Sequence, residues 1–231
     1  MTDIITEYVK CETDHQYFIN TYMGDGVRPL YDHQVELLNR IDSSQLLLVN
    51  AYRESGTSYA SVAYILWELL FKPRHLTLAV TSKLSQLGEL RTTLLNAIDT
   101  LPDFLKPKIV VSNNRCIKFD NDAIIVLDIN SINTGRGRSA NTVFLLDVNG
   151  FTKIPLDAVS ASTRASSGKV ILVATGKLTS VCKNVWDSYS DEHKITIRWP
   201  DVSTDTEYKD NIIKKVGQNV WDEDFELVSS K

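Results

Sequence analysis

Apolar residues recur along this chain in two rhythms. Short unbroken runs at 45–50, 76–81, 142–147 and 169–175 are bounded by polar or turn-forming residues and predict buried strands. Between them, apolar positions return at three- and four-residue spacing. That rhythm predicts helices over 32–41 (through Leu37, Leu38 and Ile41), 58–71 and 84–100, the last ended by Leu101-Pro102. Further helices are predicted at 155–166, with Pro155 near its first turn, at 179–190 and at 206–216. Shorter strands are predicted at 109–111, 116–119, 123–127 and 194–199. Residues 1–30 read as a mixed polar and aromatic arm packing on the core, and residues beyond 216 as a frayed acidic tail. There is no internal repeat and no low-complexity segment.

Four apolar strands alternating with helices predict a three-layer α/β domain with a largely parallel central sheet. In such sheets ligands sit beyond the carboxyl ends of the strands. Gly56, after 45–50, and Asp147, ending 142–147, both fall at such ends and are expected to face one pocket.

Composition narrows the picture. With 231 residues, 43% hydrophobic and 23% charged, the chain can bury the core of one domain. A formal net charge of −4 gives no global basic signature for nucleic acid. No apolar run approaches the ~20 residues of a membrane span, and residues 1–10 lack the order of a signal peptide. Cys11, Cys116 and Cys182 are scattered, without zinc-ligand spacing, and fit a reduced intracellular setting.

The segment that carries chemistry is Ala51-Tyr52-Arg53-Glu54-Ser55-Gly56-Thr57-Ser58. Strand, glycine turn and helix N-terminus in that order form the usual cradle for nucleotide phosphates. Gly56 allows the tight turn, Ser58 is a candidate Mg²⁺ ligand, and the strand-end Asp147 is a candidate to hold the ion's shell. Two groups are missing. Thr57 stands where a lysine would neutralise the β- and γ-phosphates, and Val148 stands where an acid would activate water. Taken alone, a loop without Gly-Lys is more often a plain connection than a nucleotide site, and both readings stay open at this point.

The order of segments resembles the ATPase domain of the large terminase subunit, the DNA-packaging motor of tailed phages, of the T4-like kind. The resemblance spans roughly residues 17–227. Pro29-Leu30-Tyr31-Asp32-His33-Gln34 resembles the glutamine motif that reads adenine, and 52–58 resembles the family's Ser-Arg-Gln-x-Gly-Lys-Thr loop. Leu101-Pro102-Asp103-Phe104-Leu105-Lys106-Pro107 and Phe119-Asp120-Asn121 are similar to family segments. Gly135-Arg136-Gly137-Arg138-Ser139 precedes the second acidic motif, Val143-Phe144-Leu145-Leu146-Asp147-Val148, as in the family. Lys169-Val170-Ile171-Leu172-Val173-Ala174-Thr175 occupies the place of the coupling motif, and Asn219-Val220-Trp221-Asp222-Glu223-Asp224-Phe225-Glu226 resembles the end of the ATPase domain.

The resemblance implies a P-loop NTPase-like fold of the ASCE/RecA-like type, with a terminase-like core at 31–200 and a C-terminal helix and acidic tail at 201–231; the family's C-terminal nuclease domain is not expected, as a departure from the family, because the sequence stops near Lys231. It implies adenine contact by Gln34, phosphate sensing by Arg53, and cofactor binding by Gly56, Thr57, Ser58 and Asp147. Mg²⁺ would fall to Ser58 and Asp147, and coupling to Thr175. Arg136 and Arg138 are candidate contacts to nucleotide or DNA phosphate. The departures weaken this set. Loss of the lysine removes a cation at close range, about 2–3 kcal/mol at an effective ε near 20, roughly a hundredfold in affinity. Loss of the base removes a factor of about 10²–10⁴. Thr175 retains only one threonine of the coupling run. The expectation is a degenerate site with weak or no ATP–Mg²⁺ binding and little or no hydrolysis. Such a protein would be a regulatory or binding component, partnering phage packaging proteins or DNA in the cytoplasm of an infected bacterial host. The alternatives are an active packaging ATPase with an atypical loop and a helicase-like protein outside packaging.

Overall fold

The computed structural model describes residues 4–23 and 29–228. Residues 1–3 and 24–28 of the expected arm, and 229–231 of the expected tail, lie outside them.

The helix after the glycine loop, Thr57–Phe71, is apolar on all sides, and every residue from Ala60 to Phe71 is buried. Such a helix must be covered all round, and its neighbours supply that cover. From the amino end the elements are helices α1 (Ile4–Thr13) and α2 (His15–Phe18), a π-helical turn (Ile19–Met23) and α3 (Asp32–Ser43). Strand β1 (Leu46–Ala51) then leads into α4 (Thr57–Phe71). Cys11, Phe18 and Ile19 pack in one cluster with α4, and Trp67 Nε1 donates to the Cys11 carbonyl at 2.9 Å.

The rest of the chain gives β2 (Leu76–Thr81), α5 (Leu84–Thr100), β3 (Ile109–Ser112), β4 (Cys116–Phe119), β5 (Ile124–Ile129) and β6 (Thr142–Leu146). These are followed by α6 (Leu156–Thr163), β7 (Lys169–Thr175), α7 (Ser180–Asp187), β8 (Lys194–Ile197), α8 (Trp199–Val202), α9 (Thr206–Val216) and α10 (Gln218–Asp224). The eight strands form one sheet in the order β3-β4-β5-β2-β6-β7-β1-β8. All neighbours from β5 to β8 pair parallel, and β3 and β4 add an antiparallel edge.

Strand alternation sorts the core into two layers. Phe144, Ile171 and Val173 face the cluster that holds α3, α4 and α5. Val143, Leu145, Val170 and Leu172 face a second cluster with Val159 of α6 and Cys182 of α7. The result is the three-layer, mostly parallel α/β architecture that the pattern predicts.

Several predicted boundaries shift for physical reasons. Strand 142–147 ends one residue early because Asp147 adopts a left-handed backbone, φ 52°. Strand 194–199 stops at Ile197, since Trp199-Pro200 opens α8 with proline in its first turn. Helix 155–166 breaks into Leu156–Thr163 plus a 3₁₀ turn, and helix 179–190 shortens to Ser180–Asp187. The expected frayed acidic tail is corrected outright. Residues 218–224 form α10, Trp221 is 0% exposed, and Glu223, Asp224 and Glu226 pair with Lys177, Arg53 and Lys209.

Candidate nucleotide-phosphate site

Ala51 at the end of β1 lies in register with Thr175 at the end of β7, and Leu146 at the end of β6 with Val173. The glycine loop after β1, Thr175 and Asp147 therefore share one edge of the sheet. Adjacent strands there are about 4.8 Å apart.

The loop turns into α4 through Gly56, φ 74°, a left-handed conformation that glycine adopts without strain. Three of the expected site residues gather around Ser55. Gln34 is buried; its Oε1 accepts from the Tyr31 N–H at 3.0 Å and its Nε2 donates to the Ser55 carbonyl at 3.4 Å. The His33 ring nitrogen lies 2.8 Å from the same carbonyl. In this arrangement the Gln34 amide, expected at adenine, braces the back of the loop.

Thr57, in the lysine position, is 2% exposed. Its hydroxyl shares a 2.6 Å hydrogen bond with the Ser55 hydroxyl, and its N–H donates to Ser55 Oγ at 3.3 Å. A serine oxygen thus takes one of the first-turn N–H groups that a phosphate would use. Ser58 is exposed in the first turn of α4.

Arg53 turns away from the loop's interior. Its Nε lies 2.6 Å from Asp224 Oδ2, and its backbone N–H donates to the Asp224 carbonyl at 2.9 Å. Asp147 accepts from Gln86 Nε2, and Gln86 Oε1 in turn accepts from Ser82 Oγ. Val148 is 3% exposed and packs in the cluster with Phe151, Val159 and Cys182. The position expected for a water-activating acid therefore faces the apolar layer. Asn149 Nδ2 donates to the carbonyls of Thr175 and Lys177, while its Oδ1 accepts from the Thr179 N–H. Its amide clamps the loop after β7.

Arg136 and Arg138 lie elsewhere, with Lys153, along a groove of about 910 Å³ between residues 130–139 and α6; no phosphate-loop residue lines it. Among the described residues no cluster of three or more His, Cys, Asp or Glu is placed to hold a metal ion, and no helix is long and apolar enough to cross a membrane. Sequence reasoning missed Gln86, Tyr208 and the pairing of Asp224, whose positions at the site depend on tertiary contacts.

No protein-family model matches the chain. Among solved structures its fold is similar to the ATPase domain of the large terminase of Thermus phage P74-26, with a TM-score of 0.68 and 12% identity over 91% of this chain and 96% of that one. It is similar to a large terminase from a thermophilic bacteriophage, at TM-score 0.66 and 9% identity over 86% of this chain and 53% of that one. The large terminase of bacteriophage HK97 gives a TM-score of 0.63 and 14% identity over 81% of this chain and 43% of that one. The chain spans about half the length of these last two proteins. Likeness at this identity is one of fold: the architecture is the P-loop-like α/β fold of large terminase ATPase domains.

Proposed function

We propose that this chain is a terminase-like phage protein, of the T4-like kind and in degenerate form. It binds nucleotide weakly or not at all, does not hydrolyse it, and acts in DNA packaging as a regulatory or DNA- or protein-binding component. The observation that carries the reading is Thr57: the residue in the lysine position is buried and bonded to Ser55. Val148, packed among apolar side chains, supports it. If Mg²⁺ and ATP bind, Ser58 and Asp147 are the residues present to hold the ion, an oxygen donor set suited to Mg²⁺. Arg136, Arg138 and Lys153 are the cations available to a phosphodiester backbone. The partners would be DNA or packaging proteins in the host cytoplasm.

A steady-state ATPase assay with DNA present tests the reading. Turnover at the level of an Asp147→Asn chain is expected. Turnover that Asp147→Asn abolishes would instead favour an active motor domain.

A further inference from the structure

The C-terminal helices are tied to the phosphate loop at more points than packing of a helix requires. We propose that α10 is a strap across the loop, in which the Asp224 carboxylate occupies Arg53 as an internal anion and must leave before a phosphate can take its place. The inference rests on the nucleotide-site reading above and concerns how that site is regulated.

The carboxylate spans two loops. Its Oδ2 meets Arg53 Nε at 2.6 Å on the loop after β1. Its Oδ1 lies so close to Gly176, on the loop after β7, that a Cβ there would collide with it; Gly176 has φ 77°. Ala51 and Thr175 are register partners just before these loops. Asp224 therefore sits over the crevice at the carboxyl ends of neighbouring parallel strands, where ligands enter such sheets. Guanidinium binds carboxylate and phosphate through the same forked geometry, so the two anions compete for it. The Arg53 side chain is 58% exposed, which leaves it reachable from solvent.

The strap is held on both sides. Tyr208 of α9 donates its hydroxyl to Glu54 Oε2 at 2.6 Å; burial, then this hydrogen bond, raises its pKa. Glu223 pairs with Lys177 at 2.5 Å. Trp221 stacks on Phe225, with centroids 4.6 Å apart, and Phe225 meets Tyr52 of the loop itself. These contacts tie α9 and α10 to the loops after β1 and β7 at several points.

The test measures Mg–ADP and Mg–ATP affinity by titration calorimetry on the full chain, on Asp224→Asn, on Asp224→Ser, and on Tyr208→Phe. Asn keeps the backbone bond to Arg53 but not the charge. Asp224→Asn is expected to tighten binding about two- to fivefold, the range of a partly exposed ion pair, and adding Arg53→Ala to cancel the gain. Tyr208→Phe leaves the Arg53 pair in place and should leave affinity unchanged; Asp224→Ser, which removes the carboxylate and its close approach to Gly176, should tighten binding as Asp224→Asn does and decides if that chain fails to fold. Equal affinities in all chains, or no binding to any, overturn the strap. Hydrolysis by the unaltered chain would instead overturn the non-hydrolysing reading and leave this comparison intact.

Discussion

The side-chain amide of Gln34 fills the space that a side chain at Gly56 would need. A Cβ on Gly56 would collide with Gln34 Nε2, and the backbone there has φ 74°. Gln34 has little room to yield, since it is buried and held by Tyr31 and Ser55. Gly56→Ala is therefore expected to lower stability by about 1–3 kcal/mol. Urea unfolding followed by far-ultraviolet circular dichroism would show this as a lower midpoint at unchanged slope. Gly88 is the contrast. It is exposed inside α5 with nothing within 4 Å of an added Cβ, so Gly88→Ala should raise stability by about 0.5–1 kcal/mol.

Asn121 explains why the Phe119-Asp120-Asn121 segment stands out in the sequence. Its Nδ2 donates to the carbonyls of Leu69 and Leu70, which the last turn of α4 leaves unpaired, and its Oδ1 accepts from the Ala123 N–H. Asn121→Ala should cost about 1–3 kcal/mol by leaving buried carbonyls without donors. Asn121→Asp should lose part of the same stability, because a carboxylate accepts but cannot donate. The same urea midpoints check both.

Local pattern revealed those elements whose ends carry their own punctuation. β2, β7, α5 and α9 match the predicted limits residue for residue, because apolar runs meet prolines, turn residues or charges there. The placement at the sheet edge was legible too: Gly56, Asp147 and Thr175 follow or end strands on one side of the sheet. What they touch was not. The partner of Arg53 is 171 positions away, beyond any local rhythm. The acid-rich stretch around Trp221 reads as solvated because its burial depends on Trp199, Tyr208 and Phe225 meeting it in space. The inward turn of Val148 follows from the left-handed Asp147, a conformation that residue type alone does not announce.

Glu68 brings a charge into the centre of the fold. It is 0% exposed, with Oε2 3.3 Å from His75 Nε2 and Oε1 accepting from Lys72 Nζ and Thr142 Oγ1. Burial alone would raise its pKa; the His75 ring beside Oε2 and the charges of Lys72 and Lys169 outweigh burial and hold it below the ordinary 4.5. A carboxyl with a depressed folded pKa stabilises fully above its unfolded pKa, and that stability is lost as pH falls through the folded value. Glu68→Gln should cost about 3 kcal/mol near neutral pH, since it leaves the facing cations uncompensated. The gap between the two chains should narrow as pH drops below about 4.5. Urea midpoints across a pH series from neutral to acid check the sign, and a gap that widens in acid would refute it.

The groove lined by Arg136, Arg138 and Lys153 gives the DNA-binding part of the account a quantitative test. If phosphates meet these cations, fluorescence anisotropy with duplex DNA should show affinity falling linearly on a log–log plot against salt. Each lost contact should reduce the slope by about 0.9. Arg136→Ala and Arg138→Ala should flatten the slope without changing the fold. Binding that salt and both substitutions leave unchanged would point to a protein partner instead.

In the function proposed above, the chain keeps the fold of a packaging ATPase without its chemistry. Single-turnover hydrolysis of radiolabelled ATP, with Mg²⁺, DNA and protein in excess, tests it most directly. The chain is expected to release phosphate no faster than its Asp147→Asn variant. Phosphate release well above that background, abolished by Asp147→Asn in a chain that remains folded, would contradict the account.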